Sequence, residues 1–456
     1  MEKLVEGVCK ISDGKVAEVI NKSILQDEVI WTLQYNASVN ENPEVKQAAI
    51  KWINAIADAL DLECGSNFAF YQEKSQSQRM FFTVPAINSR MITFHTTRAA
   101  ARAAEILKVP HIIFELALSE GGYTGQKMDE YAALVKAAYI SLGLQDRMVY
   151  LQADHYQIDP GKYAADPKVE MERAQKAIEF ALQNGVYNID IDTSKFEIVD
   201  PNKSDEENQA ENARLTAELL FFIREYEKKY PLPDLVSVGG EVGEVGGINT
   251  KYPQVNAYLN LIHKQMVKLG ASNAPGLSKV SINVGSAHGG VLGQDGKPME
   301  SVPLDFQAHH DLFTFAEDPS KPGDRVLSVQ HGASTLPRHY FPLFPAMHVA
   351  EIHLATGFQN IVWDVLEKED GELYQRMKGL TSTKFGEHIA KHKTQGIGFM
   401  KERKRVTEFV KKELLLSPAI PAIEKELGKE FTTIFSSLYS ILLPKSGGMV
   451  KGNRAD

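Results

Sequence analysis

The sequence predicts an α/β fold, a closed (β/α)8 barrel with helical extensions at both ends, and three observations predict it. Short, continuously apolar runs recur from about residue 80 onward. Amphipathic stretches with helical spacing lie between most of them. Polar residues of the kind that do chemistry gather just after the runs. A strand sandwiched between helices has no wet face, so it reads as an unbroken apolar run. Eight such runs occur, at 80–85, 111–118, 148–153, 188–192, 235–238, 280–284, 326–329 and 348–353. That count matches a (β/α)8 barrel. Helical spacing is clearest at 96–108, 128–142, 168–183 and 211–229. An open doubly wound sheet is the competing arrangement; no GxGxxG follows a run, which counts against its dinucleotide-binding form.

The ends read differently. Residues 1–78 look mostly helical, with apolar spacing over 42–62 broken at Gly65 and Ser66. From about 365 the chain is helical and charged, and 445–456 is a polar tail expected to be loose. The expected division is therefore a helical N-terminal extension (1–78), a catalytic barrel (79–365) and a helical C-terminal extension (366–456). The N-terminal extension suits an interface, and a homo-oligomer is expected.

Composition narrows the function classes. The 456 residues are 43% hydrophobic and 24% charged, with a net charge of −9. An acidic chain with one short basic stretch, Lys401 to Arg405, is expected to bind neither nucleic acid nor a membrane surface. That stretch reads as a solvated helix face. Cys9 and Cys64 are the only cysteines, so a CxxC zinc ribbon or dithiol centre is excluded. No run reaches the roughly 18 apolar residues of a membrane span, and the first residues carry charges where a secretion signal would be apolar. A cytoplasmic location is expected.

The residues after the runs carry the functional argument. They are Asp154-His155, Asp192-Thr193-Ser194, Gly239-Gly240-Glu241-Val242-Gly243, Gly285-Ser286-Ala287-His288-Gly289, Gln330-His331-Gly332-Ala333-Ser334 and Leu354-Ala355-Thr356-Gly357. In a barrel all strand C-termini open on one face, where active sites are built. Histidines and carboxylates from separate strands would meet there, and imidazole with carboxylate suits Zn2+ with a position left for substrate. Glycines beside them allow close backbone approach and anion-binding amide groups. Each piece has a plainer reading: a hydrogen-bonded Asp-His pair, a tight turn with an exposed acid, or an anion-binding turn without metal. His309, His310, His339 and His348 read as structural or exposed.

Taken in order, these motifs resemble those of the class II fructose-bisphosphate aldolases, with features of the tagatose-bisphosphate branch in Gly121-Gly122-Tyr123-Thr124-Gly125 and in the turn after Glu241. The resemblance runs from about residue 80 to 360. It implies a metal held by His155, His288 and His331, with Glu241 a ligand or just outside and Asp192 orienting an imidazole or holding an alternative metal position. It implies a divalent cofactor, most simply Zn2+, that stabilises an enediolate while a phosphorylated ketose is cleaved or formed. Asp154 would shuttle a proton. Gly289, Gly332, Ser334 and Thr356 would bind a sugar phosphate, which places the chain in carbohydrate metabolism and glycolysis.

The sequence also departs from that pattern. The family's loop glutamate falls at Asn249, leaving Glu244 as the substitute base. The phosphate-clamping Asn-x-Asp after the last strand reads His353-Leu354-Ala355, and basic residues expected nearby read Leu292 and Gln359. Arg90 or Arg338 is expected to supply the missing charge. Two alternatives follow: a metal-dependent epimerase of a ketose or keto-sugar acid, and a non-catalytic subunit of a tagatose-bisphosphate aldolase.

Overall fold

The computed structural model describes residues 1–12, 14–77, 79–243, 247–286, 302–321 and 323–439. Eight parallel strands close into a barrel: β1 Val84–Asn88, β2 Ile113–Ala117, β3 Val149–Gln157, β4 Asn188–Asp192, β5 Ser237–Glu241, β6 Lys279–Ser281, β7 Leu327–Gln330 and β8 Glu351–Leu354. Each pairs with its neighbours in sequence, and β8 returns to β1 through Glu351↔Val84 and Ile352↔Pro85. A short strand Cys64–Gly65 adds to the edge of β3.

Helices fill most connections: Thr93–Leu107, Met128–Ser141, Pro167–Gln183, Asp205–Lys229, Tyr252–Lys268 and Phe306–Phe315. Their starts are written locally. Asp166 caps one helix with Pro167 in its first turn, and Ser204 with Glu207 forms a capping box on another. After β7, tight turns and the short helix Leu343–Ala346 replace a full-length helix. Helix Thr356–Glu369 follows β8.

Several strands depart from the expected runs: β3 continues to Gln157 through Asp154 and His155, β8 starts at Glu351 rather than 348, and β1 and β5 are also displaced. β1 starts at Val84 rather than 80, because Phe82 packs on Phe70 and Tyr439 while its carbonyl accepts from the Lys74 ammonium. β5 runs on through Gly239 and Gly240, which look like turn residues. A Cβ on Gly239 would lie 2.1 Å from Asp190 Oδ1, and one on Gly240 would lie 2.6 Å from the Tyr258 hydroxyl. Gly239 makes room for barrel-interior side chains and Gly240 for the helix packed outside, where the sequence suggested room for a ligand.

The flanking segments share the barrel's core. At the N-terminus, Cys9–Ser12 and Lys15–Val19 form a hairpin absent from the helical reading, turned by Gly14 at φ +71°. Helix Phe68–Gln76 lies against the strand N-termini, where Tyr71 donates to Glu351 Oε2 at 2.5 Å. On the other side, helix Ile420–Leu438 packs on Thr93–Leu107, with Glu424 meeting His95 at 2.7 Å. The polar tail expected to be loose falls within 440–456, outside the described residues.

Candidate active site at the barrel mouth

Strand periodicity builds the site in two layers, because residues two apart on a strand face the same side. The deeper layer centres on Lys279 of β6, fully buried. Its ammonium lies 2.7 Å from Glu351 Oε1 of β8, 3.0 Å from Asp190 Oδ1 of β4 and 2.7 Å from Gln152 Oε1 of β3. Two residues further along the same strands come His353, Asp192 and Asp154. Burial alone would raise the Glu351 carboxyl, but Lys279 and His353 outweigh it and hold it well below the usual carboxylate range. Burial raises Asp190, which has fewer donors.

At the mouth, β3 carries a bulge. Ala153 pairs with Ile189, and Tyr156 with Ile191, so the intervening pair faces one residue. His155 takes φ +45°, in the left-handed region that non-glycine residues seldom enter. An unbulged strand would send Asp154 and His155 to opposite faces; here both line the cavity. Such strain is kept where the surrounding structure enforces it, commonly at functional sites.

The expected ligands His155, Glu241 and His331 converge from β3, β5 and the turn after β7, with one ligand atom of each within 4.8 Å of the others. His155 Nδ1 is 2.6 Å from Glu241 Oε1 and 3.1 Å from Asp192 Oδ2, and the His155 and His331 ring centroids are 4.5 Å apart. Burial, with the Asp192 and Asp154 charges, pushes the Glu241 carboxyl up to about 8. Burial opposes charge on His155, but Asp154 and Glu241 raise it well above the ordinary histidine range. A proton is thus held between imidazole and carboxylate where a divalent cation would displace it, so the donor set fits a metal such as Zn2+. Asp192 hydrogen-bonds rather than joining the triad: it accepts from the Ser194 amide and hydroxyl and from Gln157, and so orients His155.

Asp154 lies 3.8 Å from His155 Nε2 and 3.3 Å from His353 Nδ1. His353 stacks on His331 with centroids 4.0 Å apart and meets Glu115 Oε2 at 3.0 Å and Glu351 Oε1 at 2.6 Å. Asp154, His331 and His353 form a second group with metal-ligand spacing. Neither His353 nor Glu115 was singled out from the sequence. The signal was Glu351-Ile352-His353, two ionisable residues two apart inside an apolar strand. His309 is structural, as expected: it bridges Ser328 and Gln330, and Gln330 in turn donates to the His331 carbonyl.

The cavity measures about 370 Å³. Gly332, Ser334, Thr356 and Gln359 line it, as does Arg90, while Ser334 Oγ accepts from the Gly357 amide at 3.0 Å. Arg338 is not part of this lining. Its guanidinium pairs with Glu430 of the C-terminal segment and lies over Phe341, so it does not supply the missing charge. The basic stretch also departs from its reading as a solvated face. Arg403 is buried over Trp363, and Lys404 and Arg405 line the cavity, because the C-terminal segment folds back onto the mouth. His288, Gly289 and Glu244 lie outside the described residues.

A closed parallel barrel with a histidine–carboxylate centre at its C-terminal mouth is the frame of a large class of enzymes. Residues 74–417 match the class-II fructose-bisphosphate aldolases, and the chain belongs to that family. Among solved structures, a probable tagatose 6 phosphate kinase from Sinorhizobium meliloti 1021 aligns with a TM-score of 0.57 at 16% identity, over 78% of this chain and 100% of the other. The glycerol-complexed fructuronate-tagaturonate epimerase UxaE from Cohnella laeviribosi aligns with a TM-score of 0.50 at 11% identity, over 89% of this chain and 90% of the other. These likenesses show the shared fold. No curated protein sequence matches the chain. Among the described residues, no helix is long and apolar enough to cross a membrane.

Proposed function

We propose that the chain is a divalent-metal-dependent aldolase that cleaves and forms a phosphorylated ketose. The observation that carries this is the triad His155, Glu241 and His331, set beside Asp154 at the mouth of a barrel of this family. His288 is proposed as a further ligand. A bound divalent cation, Zn2+ for instance, supplies Lewis acidity that polarises a substrate carbonyl. Asp154 takes the proton of the hydroxyl whose oxygen becomes the aldehyde, and the carbonyl-bearing half keeps the electron pair of the broken C–C bond. Glu244 is proposed to give that half its proton in cleavage and, as base, to remove it in condensation. Gly332, Ser334 and Thr356, which line the cavity beside the start of helix Thr356–Glu369, are proposed to seat an anion. The test is release of a triose from ketose phosphates: loss on chelation and return with Zn2+ is expected, and full activity in metal-free protein refutes the reading.

One observation favours a second reading. His353 stands beside Asp154 where the family's phosphate clamp begins, so two neighbouring ionisable groups line the same cavity. A C4 epimerase breaks the C3–C4 bond by the same retro-aldol step and re-forms it after the aldehyde has turned its other face, and this pair would take and return the C4 hydroxyl proton. Accumulation of a C4 epimer without free triose selects this reading over the aldolase.

A further inference from the structure

The cavity has a basic wall built largely by the C-terminal segment. Lys404 and Arg405, in the turn Arg403–Val406, line the same cavity as Asp154 and His331, and Arg90 joins them from the loop after β1. Arg90 is fastened through Nε to Glu120 Oε1 at 2.6 Å. Glu120 is itself held by Asn88 Nδ2 at 2.5 Å, the Ala117 amide at 3.1 Å and the Tyr123 hydroxyl at 3.1 Å. The terminal nitrogens of Arg90 make no hydrogen bond among the described residues. Lys404 lies 5.2 Å over the Tyr123 ring, and among the described residues its ammonium has no ion pair. Arg405 meets Glu402 at 3.3 Å. Counting Lys401, four cations line the cavity; Glu120 and Glu402 stand among them, while Glu115 and Asp154 lie with the histidines. Burial and the neighbouring arginine charges push Lys404 down to about 8, against the opposing pull of Glu120 and Glu402.

Lys404 rests on the Tyr123 ring and Arg405 on the Phe385 ring, and both also line the cavity, where the Lys404 ammonium has no ion pair among the described residues. A rigidly held guanidinium and an ammonium are the donors that grip a multi-oxygen anion. We propose that Arg90, Lys404 and Arg405 form a subsite for the terminal oxyanion, phosphate or carboxylate, of an open-chain sugar. The sugar's identity rests on the function proposed above; the subsite itself does not. It stands in for the clamp lost at Ala355 and Gln359, and it places substrate choice in the C-terminal segment.

The test is calorimetric binding to the full chain after chelation, so that no turnover enters. Glycerol 3-phosphate and glycerate are the two probes. At least one is expected to bind wild type. Lys404→Met should weaken it about tenfold or more, the loss of one charge-assisted contact, while Lys404→Arg stays within about threefold. The tighter probe tells phosphate from carboxylate. Arg405→Gln should also weaken binding and gives a second reading should Lys404→Met fail to fold. Unchanged affinity in a Lys404→Met protein that melts normally, or no binding of either probe to wild type, overturns the subsite. Binding that survives in a protein with no aldol cleavage refutes the proposed function alone.

Discussion

Lys279→Met tests whether the barrel interior is organised around one cation. At an effective dielectric of about 20, the contacts at 2.7 Å to Glu351 and 3.0 Å to Asp190 are each worth roughly 5–6 kcal/mol before desolvation. Burying the three charges offsets most of that, but removing only the lysine strands two carboxylates in a dry interior, at about 3–5 kcal/mol. The unfolding entropy of a 456-residue chain is roughly 1 kcal/mol/K, so the melting temperature should fall about 3–5 °C near neutral pH. The pH dependence has a definite sign. In wild type Glu351 is held low, so its contribution is present above the unfolded carboxylate pKa of about 4.3 and lost as pH falls. Without Lys279 the folded pKa of Glu351 rises and that of Asp190, already raised, rises further, and stability is lost as pH rises through them. Parallel thermal melts should therefore show a gap between wild type and variant that widens from about pH 5 to about pH 8. A gap below about 1 °C at the higher pH, or one that narrows as pH rises, refutes this account.

Asp192→Asn should lower metal affinity about 10–100-fold, read by competition with a chromophoric chelator, because the carboxylate that orients His155 is lost. Asp154→Asn should cut turnover about 100-fold or more with bound metal unchanged by elemental analysis; a variant that loses its metal instead would show that Asp154 is a ligand. Gly239→Ala forces a methyl against Asp190 Oδ1 at 2.1 Å, and a loss of about 1–3 kcal/mol in chemical denaturation is expected; a neutral result would mean that the interior relaxes easily.

The eight strands were legible because parallel strands between helices must be apolar on both faces, and β4 lies where the sequence put it, at Asn188–Asp192. β1 and β5 were misplaced where local pattern was outvoted: Phe82 is buried against Phe70 and Tyr439 without joining the strand, and Gly239 and Gly240 are strand residues packed against Asp190 on one side and Tyr258 on the other. At the mouth, His155, Glu241 and His331 were readable because each follows an apolar run in the sequence, Glu241 and His331 beside glycines. The deeper charges were not. Glu115 is a single polar residue in an apolar run, Asp190 alternates with apolar residues in Asn188–Asp192 and Lys279 stands just ahead of its run, and their meaning appears only when the strands meet. Arg338 and Lys404 exchanged their expected roles for a similar reason. Which one reaches the cavity depends on how residues 366–439 fold back, information carried by distant contacts such as Glu430 with Arg338 and Trp363 with Arg403.

Tyr71 belongs to the segment ahead of the barrel, yet its hydroxyl rests on Glu351, whose other oxygen touches both Lys279 and His353. The leading helices therefore act as a stopper in the floor of the cylinder, one side chain removed from the imidazole beside Asp154. Cutting them away would let water rise to the buried acids and loosen the catalytic rim from underneath. The barrel of this protein cannot be excised at its first strand and expected to behave as a finished enzyme.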